Sequence, residues 1–66
     1  MRKTPFTEGT FIVCSAVHPR WLKYNSQDEV IWTKHYRGAE RFDYKSFQQM
    51  LIDNKWLESS DLWFQR

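Results

Sequence analysis

The sequence predicts an α+β domain in which a small antiparallel sheet of three to five strands carries one helix on a face. Three observations point to it. Thr10 to Val17 is rich in β-branched and aromatic residues and apolar on both alternating faces, as a strand inside a sheet is. Trp21 to Tyr24 and Glu29 to Tyr36 flank Asn25-Ser26-Gln27-Asp28, a polar loop of hairpin length. Phe47, Met50, Leu51 and Asn54 fall on one stripe at the helical period. A small β-barrel closed by a short helix is the competing architecture.

Along the chain, Met1 to Pro5 reads as a flexible tail, because Pro5 and the flanking charges oppose regular structure. The first strand ends at His18-Pro19, since proline cannot donate to a ladder and holds the preceding residue extended. After the hairpin, Arg37-Gly38-Ala39 is the next turn, with Gly38 free to take positive φ, and Glu40 to Tyr44 reads as a short strand. The helix spans about residues 46–54, capped by Asp43 or Ser46; Ser46 with Gln49 has capping-box spacing. Asn54 closes it and leaves Trp56 to turn back onto the core. Leu57 to Arg66 admits a last strand, Leu62 to Gln65, or a final helical turn. No repeat or linker interrupts the chain, so residues 1–66 form one domain. Its expected core is Phe11, Val13, Leu22, Ile31, Phe42, Phe47 and Leu51.

A chain of 66 residues has room for one hydrophobic core, and at this size it buries only about 60% of its unfolded surface. Cys14 is the single cysteine, so no disulfide staples the fold, and no Cys/His spacing suggests structural zinc. Four Trp, three Tyr and five Phe supply the apolar area instead. So small a globule cannot hide all these rings, and some aromatic surface is expected outside. Ten Lys and Arg against eight Asp and Glu leave a net charge of +2, too small to indicate nucleic acid by itself. The longest apolar run is Phe11 to Cys14, so neither a membrane span nor a signal peptide is expected. A lone cysteine in an apolar strand fits a reducing compartment, and the chain reads as cytoplasmic.

Pairing the hairpin symmetrically, Tyr24 with Glu29 and Trp21 with Trp32, places Trp21, Lys23, Val30, Trp32, Lys34 and Tyr36 on one face. Leu22, Tyr24, Ile31, Thr33 and His35 then fall on the core face. Arg20 and Arg37 flank the first set. Rings give contact area at low entropy cost while cations attract anionic groups, which makes Trp21, Trp32, Tyr36, Arg20, Lys23, Lys34 and Arg37 the candidate binding residues. The same residues have a structural reading, in which the tryptophans form a cross-strand pair and the lysine stems lie over them. A one-residue slip would reverse the faces.

Chemical motifs are weak. His18 and His35 form a ribonuclease-like pair on paper, but acid-base catalysis requires both within reach of one bond. Cys14, His18 and His35 lack zinc-ligand spacing, and a buried Cys14 is a poor nucleophile. Gly9 and Gly38, the two glycines, cannot write a phosphate-binding loop. No metal or cofactor is expected. The sequence thus points to a non-enzymatic adaptor, regulator or inhibitor that binds a larger protein, with single-stranded or structured nucleic acid as the alternative partner and a small ribonuclease as the third reading. In size and tryptophan content it is similar to accessory proteins of bacteriophages and mobile elements, which often block a host protein.

Overall fold

A computed structural model describes residues 2–17 and 19–66. It is an open five-stranded antiparallel sheet with one helix, in the order β1 (Thr10–Ser15), β2 (Trp21–Tyr24), β3 (Val30–Thr33), β4 (Arg41–Asp43), α1 (Tyr44–Asp53) and β5 (Leu62–Gln65). The open sheet rules out the barrel. β1 is the centre. One of its edges pairs with β5 (Val13 opposite Phe64); the other pairs with β4 (Phe11 opposite Phe42) and, further along, with β2 (Cys14 opposite Trp21). That placement explains why Thr10 to Ser15 is apolar on both faces.

Phe11 and Val13 point to the helix side, where they join Leu22, Val30, Phe42, Phe47, Met50, Leu57 and Phe64 in the main core. Phe47 is its hub. Its ring meets Phe64, Phe11 and Phe42 edge-on at 5.1, 5.7 and 6.2 Å between centroids, a favoured arrangement for aromatic quadrupoles. Two expected core residues are less buried. Leu51 packs on the margin, and Ile31 lies on the opposite side of the sheet, 38% exposed.

The helix begins two residues earlier than the sequence suggests. Its N-cap is Asp43, whose carboxylate accepts from the Ser46 N–H at 2.7 Å while Ser46 Oγ accepts from the Asp43 N–H at 3.1 Å. The capping box is therefore Asp43 with Ser46, not Ser46 with Gln49. Hydrogen bonding to the carboxylate from the Ser46 backbone N–H first, and then from its side chain, holds the Asp43 carboxyl below the ordinary carboxylate range. A lowered native pKa stabilises the fold fully above the unfolded value and loses that contribution as pH falls through the native one. Wild-type urea midpoints should therefore fall in acid, and Asp43→Asn, which keeps an acceptor without the charge, should flatten that fall.

Past Asn54 the chain makes a 3-10 turn, Lys55–Ser59, that inserts Leu57 into the core and leaves Trp56 49% exposed, contrary to the expectation that Trp56 folds inward. Leu62–Gln65 is a strand, with Phe64 buried and Trp63 on the other face. The segment expected to trail as a tail is pinned at Arg2, which exchanges two backbone hydrogen bonds with Phe64, at 3.0 and 2.7 Å. The Arg2 and Arg66 guanidinium groups both approach the Phe6 ring, 4.5 and 4.6 Å from its centroid. Gly38 sits in a 3-10 turn, Tyr36–Gly38; the glycine with positive φ is Gly9, at 73°.

The hairpin register differs by one residue from the symmetric pairing. Trp21 lies opposite Thr33, Leu22 opposite Trp32, Lys23 opposite Ile31 and Tyr24 opposite Val30. Asp28 causes the shift. It adopts φ 59°, and its N–H bonds the Asn25 carbonyl at 3.1 Å while the Asn25 N–H bonds the Glu29 carbonyl at 2.9 Å. The left-handed residue adds a bulge, so Glu29 rather than Asp28 closes the loop. Asn25 Oδ1 accepts from the N–H groups of Gln27 and Glu29, both at 2.9 Å, and fixes the turn. Asp28→Gly should raise stability by about 0.5–1 kcal/mol by removing the cost of the left-handed conformation. Asn25→Ala should lower it by about 1 kcal/mol. Thermal melts followed by circular dichroism measure both.

Candidate functional site

The register divides the aromatic residues between two faces. Leu22, Tyr24, Val30 and Trp32 lie on the helix side, where Trp32 packs against the main core. Trp21 lies on the outer face with Ile12 and Cys14; these three are 9%, 5% and 2% exposed and form a second apolar cluster, completed by Ala39 and Trp63. The proposed pairing of Trp21 with Trp32 on one surface is thus overturned. Alternation was read correctly on each strand, and the bulge at Asp28 reversed their relation.

An aromatic and basic surface still exists, with different members. Tyr36, carried by the 3-10 turn, meets Trp21 edge-on at 5.6 Å and stays 52% exposed. Arg37 follows it in the same turn and is exposed. Lys23 shares the outer face with Trp21 by alternation, and Arg41, opposite Ile12, lies on it too. Lys3 Nζ stands 5.2 Å from the Trp63 centroid. Lys23, Arg37 and Arg41 make no ion pair with a described residue. Arg20 and Lys34 are exposed, one residue outside β2 and β3 respectively. Of the expected binding residues, the fold gathers Trp21, Tyr36, Lys23 and Arg37, and separates Trp32. Arg41 and Lys3 were missed; Trp63 reads from the sequence, with Phe64, as a separate candidate contact site, whereas Phe64 is buried and Trp63 joins this face.

Acidic groups gather elsewhere. Burial raises the Tyr24 phenol above its ordinary value, and Glu40, Asp53 and Asp28 push it the same way. An open groove of about 390 Å³ on the helix side is lined by Leu51, Leu57 and Leu62 and by the charged residues Glu58, Asp61 and Lys3.

Of the groups considered for catalysis, His35 and Cys14 fall among the described residues. His35 is exposed, not on the core face, and its N–H donates to Thr33 Oγ1 at 3.1 Å; His18 lies outside the described residues. Burial pushes the Cys14 thiol up, and its Sγ donates to the Trp63 carbonyl at 3.5 Å. No three His, Cys, Asp or Glu side chains among the described residues converge as metal ligands. No described helix is long and apolar enough to cross a membrane. Compared with protein-family models, curated proteins and solved structures, the chain matches none.

Proposed function

We propose that this chain is a non-enzymatic accessory module, an adaptor, regulator or inhibitor, that binds an acidic surface of a larger protein through the outer face of its sheet. The observation that carries this reading is Tyr36, half exposed yet braced edge-on against the buried Trp21, with Arg37 next to it in the turn, over the sheet face that also carries Lys23 and Arg41. A rigid tyrosine beside arginine is the usual composition of an interface hot spot, because area is buried there at small entropic cost. The surrounding cations set the approach rate and the preference for an acidic partner. A reducing, cytoplasm-like setting accords with the single buried thiol.

Single-stranded nucleic acid is the second reading for the same face. Stacking of successive bases needs several rings with open faces. Trp21 is 9% exposed, Trp32 is on the other side, and Trp63 is partly buried in the outer cluster with Lys3 over its ring, which leaves Tyr36 as the most open ring of this face and favours a protein partner. Capture from the native host separates the readings. Tyr36→Ala should weaken the captured complex by about 2 kcal/mol or more, beyond the loss of about 0.5–1.5 kcal/mol in stability from its ring contact with Trp21, and Arg37→Glu should slow association with its melting curve unchanged. Equal retention by wild type and both variants would reject the outer face as the binding surface. A nucleic-acid ligand whose affinity falls steeply with salt would favour the second reading.

A further inference from the structure

We propose that the groove on the helix side is a second binding site, which takes a basic peptide segment carrying a bulky apolar side chain. The 3-10 turn Lys55–Ser59 drops Leu57 into the core, and residues of α1, the turn and β5 bound a groove of about 390 Å³ above it. At its base are Phe47, Leu57 and Phe64, all buried. Leu51 and Leu62 line it too, and the fold buries each only in part. Apolar area left open to water beside an apolar base favours an apolar guest. The volume stands near the low end of ligand clefts, about 300–1,000 Å³. It has room for a side chain or two and the backbone between them, and none for a folded element.

Charge selects the guest. Glu58 and Asp61 line the groove, both are exposed, and neither carboxylate makes an ion pair with a described residue. Lys3 lines it as well, but its ammonium stands 5.2 Å from the ring of Trp63, which belongs to the other face of β5. The groove therefore holds two unmatched negative charges in a chain whose net charge is +2. Arginine or lysine next to the guest's apolar residue matches them, whereas an acidic guest is repelled. The Gln48 and Ser60 side chains make no hydrogen bond with another described residue and supply donors and acceptors to a peptide backbone lying along the groove. The site is on the opposite side of the sheet from Tyr36 and does not depend on the outer face. With basic groups on one side and this acidic groove on the other, the chain can join an acidic partner to a basic one.

Amide chemical shifts of the full chain, followed by NMR as a short blocked peptide of alternating arginine and leucine is added, test the proposal. Resonances of Gln48, Leu51, Leu57 and Leu62 should move and saturate below millimolar peptide, while those of Tyr36 and Arg37 stay in place. The same peptide with glutamate for arginine, or with serine for leucine, should bind far more weakly. Glu58→Lys combined with Asp61→Lys should weaken binding by about tenfold, because two attractive pairs become repulsive. Both side chains are exposed and unpaired, so the urea midpoint of that variant should stay near wild type. Groove resonances that do not move up to millimolar peptide overturn the proposal. So does equal binding of the glutamate peptide, or an affinity that the double charge reversal leaves unchanged. Loss of partner capture through Tyr36 touches none of these readouts.

Discussion

Phe47→Ala is expected to cost about 3–5 kcal/mol and to leave the chain largely unfolded at room temperature. A domain this short holds a net stability of only about 3–10 kcal/mol, so one such loss consumes most of it. The reason for choosing Phe47 is geometric. It is 2% exposed and holds the helix to all three strands beneath it through its contacts with Phe11, Phe42 and Phe64. Truncation leaves a cavity bordered by three rings that cannot collapse without moving α1. Phe47→Leu retains most of the volume and should lose much less. Urea unfolding followed by circular dichroism ranks the two, and a Phe47→Ala protein with a near-native midpoint would deny Phe47 its place as hub.

Trp21→Ala is expected to cost about as much, roughly 3–5 kcal/mol, and to abolish partner capture as well. Trp21 is the largest member of the outer cluster and the base on which Tyr36 rests. Its removal uncovers Ile12 and Cys14 and frees the Tyr36 ring, so stability and binding fall together. Trp32→Ala should cost less, since Trp32 is half-buried on the margin of the main core. Had both tryptophans stood on one exposed face, both substitutions would leave the melting curve near that of wild type. The order Trp21 above Trp32 in a thermal melt series distinguishes these arrangements.

The fold was legible where local chemistry and tertiary placement agree. β1 announces itself because a strand paired on both edges and covered on both faces must be apolar throughout, and Phe47, Met50 and Leu51 keep helical phase because they meet one sheet. The site was less legible because it depends on the backbone of one residue. Asp28 enters the left-handed region, which aspartate tolerates better than most residues, and Asn25 holds it there with side-chain hydrogen bonds to Gln27 and Glu29. The sequence Asn-Ser-Gln-Asp permits this bulge and equally permits a symmetric loop. Lys3 over Trp63 could not be anticipated at all, because it joins residues near the two ends of the chain. Trp56 stays outside because the 3-10 turn presents Leu57 to the core instead.

Everything proposed for the outer face rests on the hairpin register, and cross-strand Hα–Hα contacts measured by NMR read that register directly. In antiparallel sheets these contacts are short between non-bonded pairs. The fold described here is expected to give them between Leu22 and Trp32 and between Tyr24 and Val30. Contacts between Trp21 and Trp32 and between Lys23 and Val30 would contradict it, return both tryptophans to one face and withdraw the site built on Tyr36.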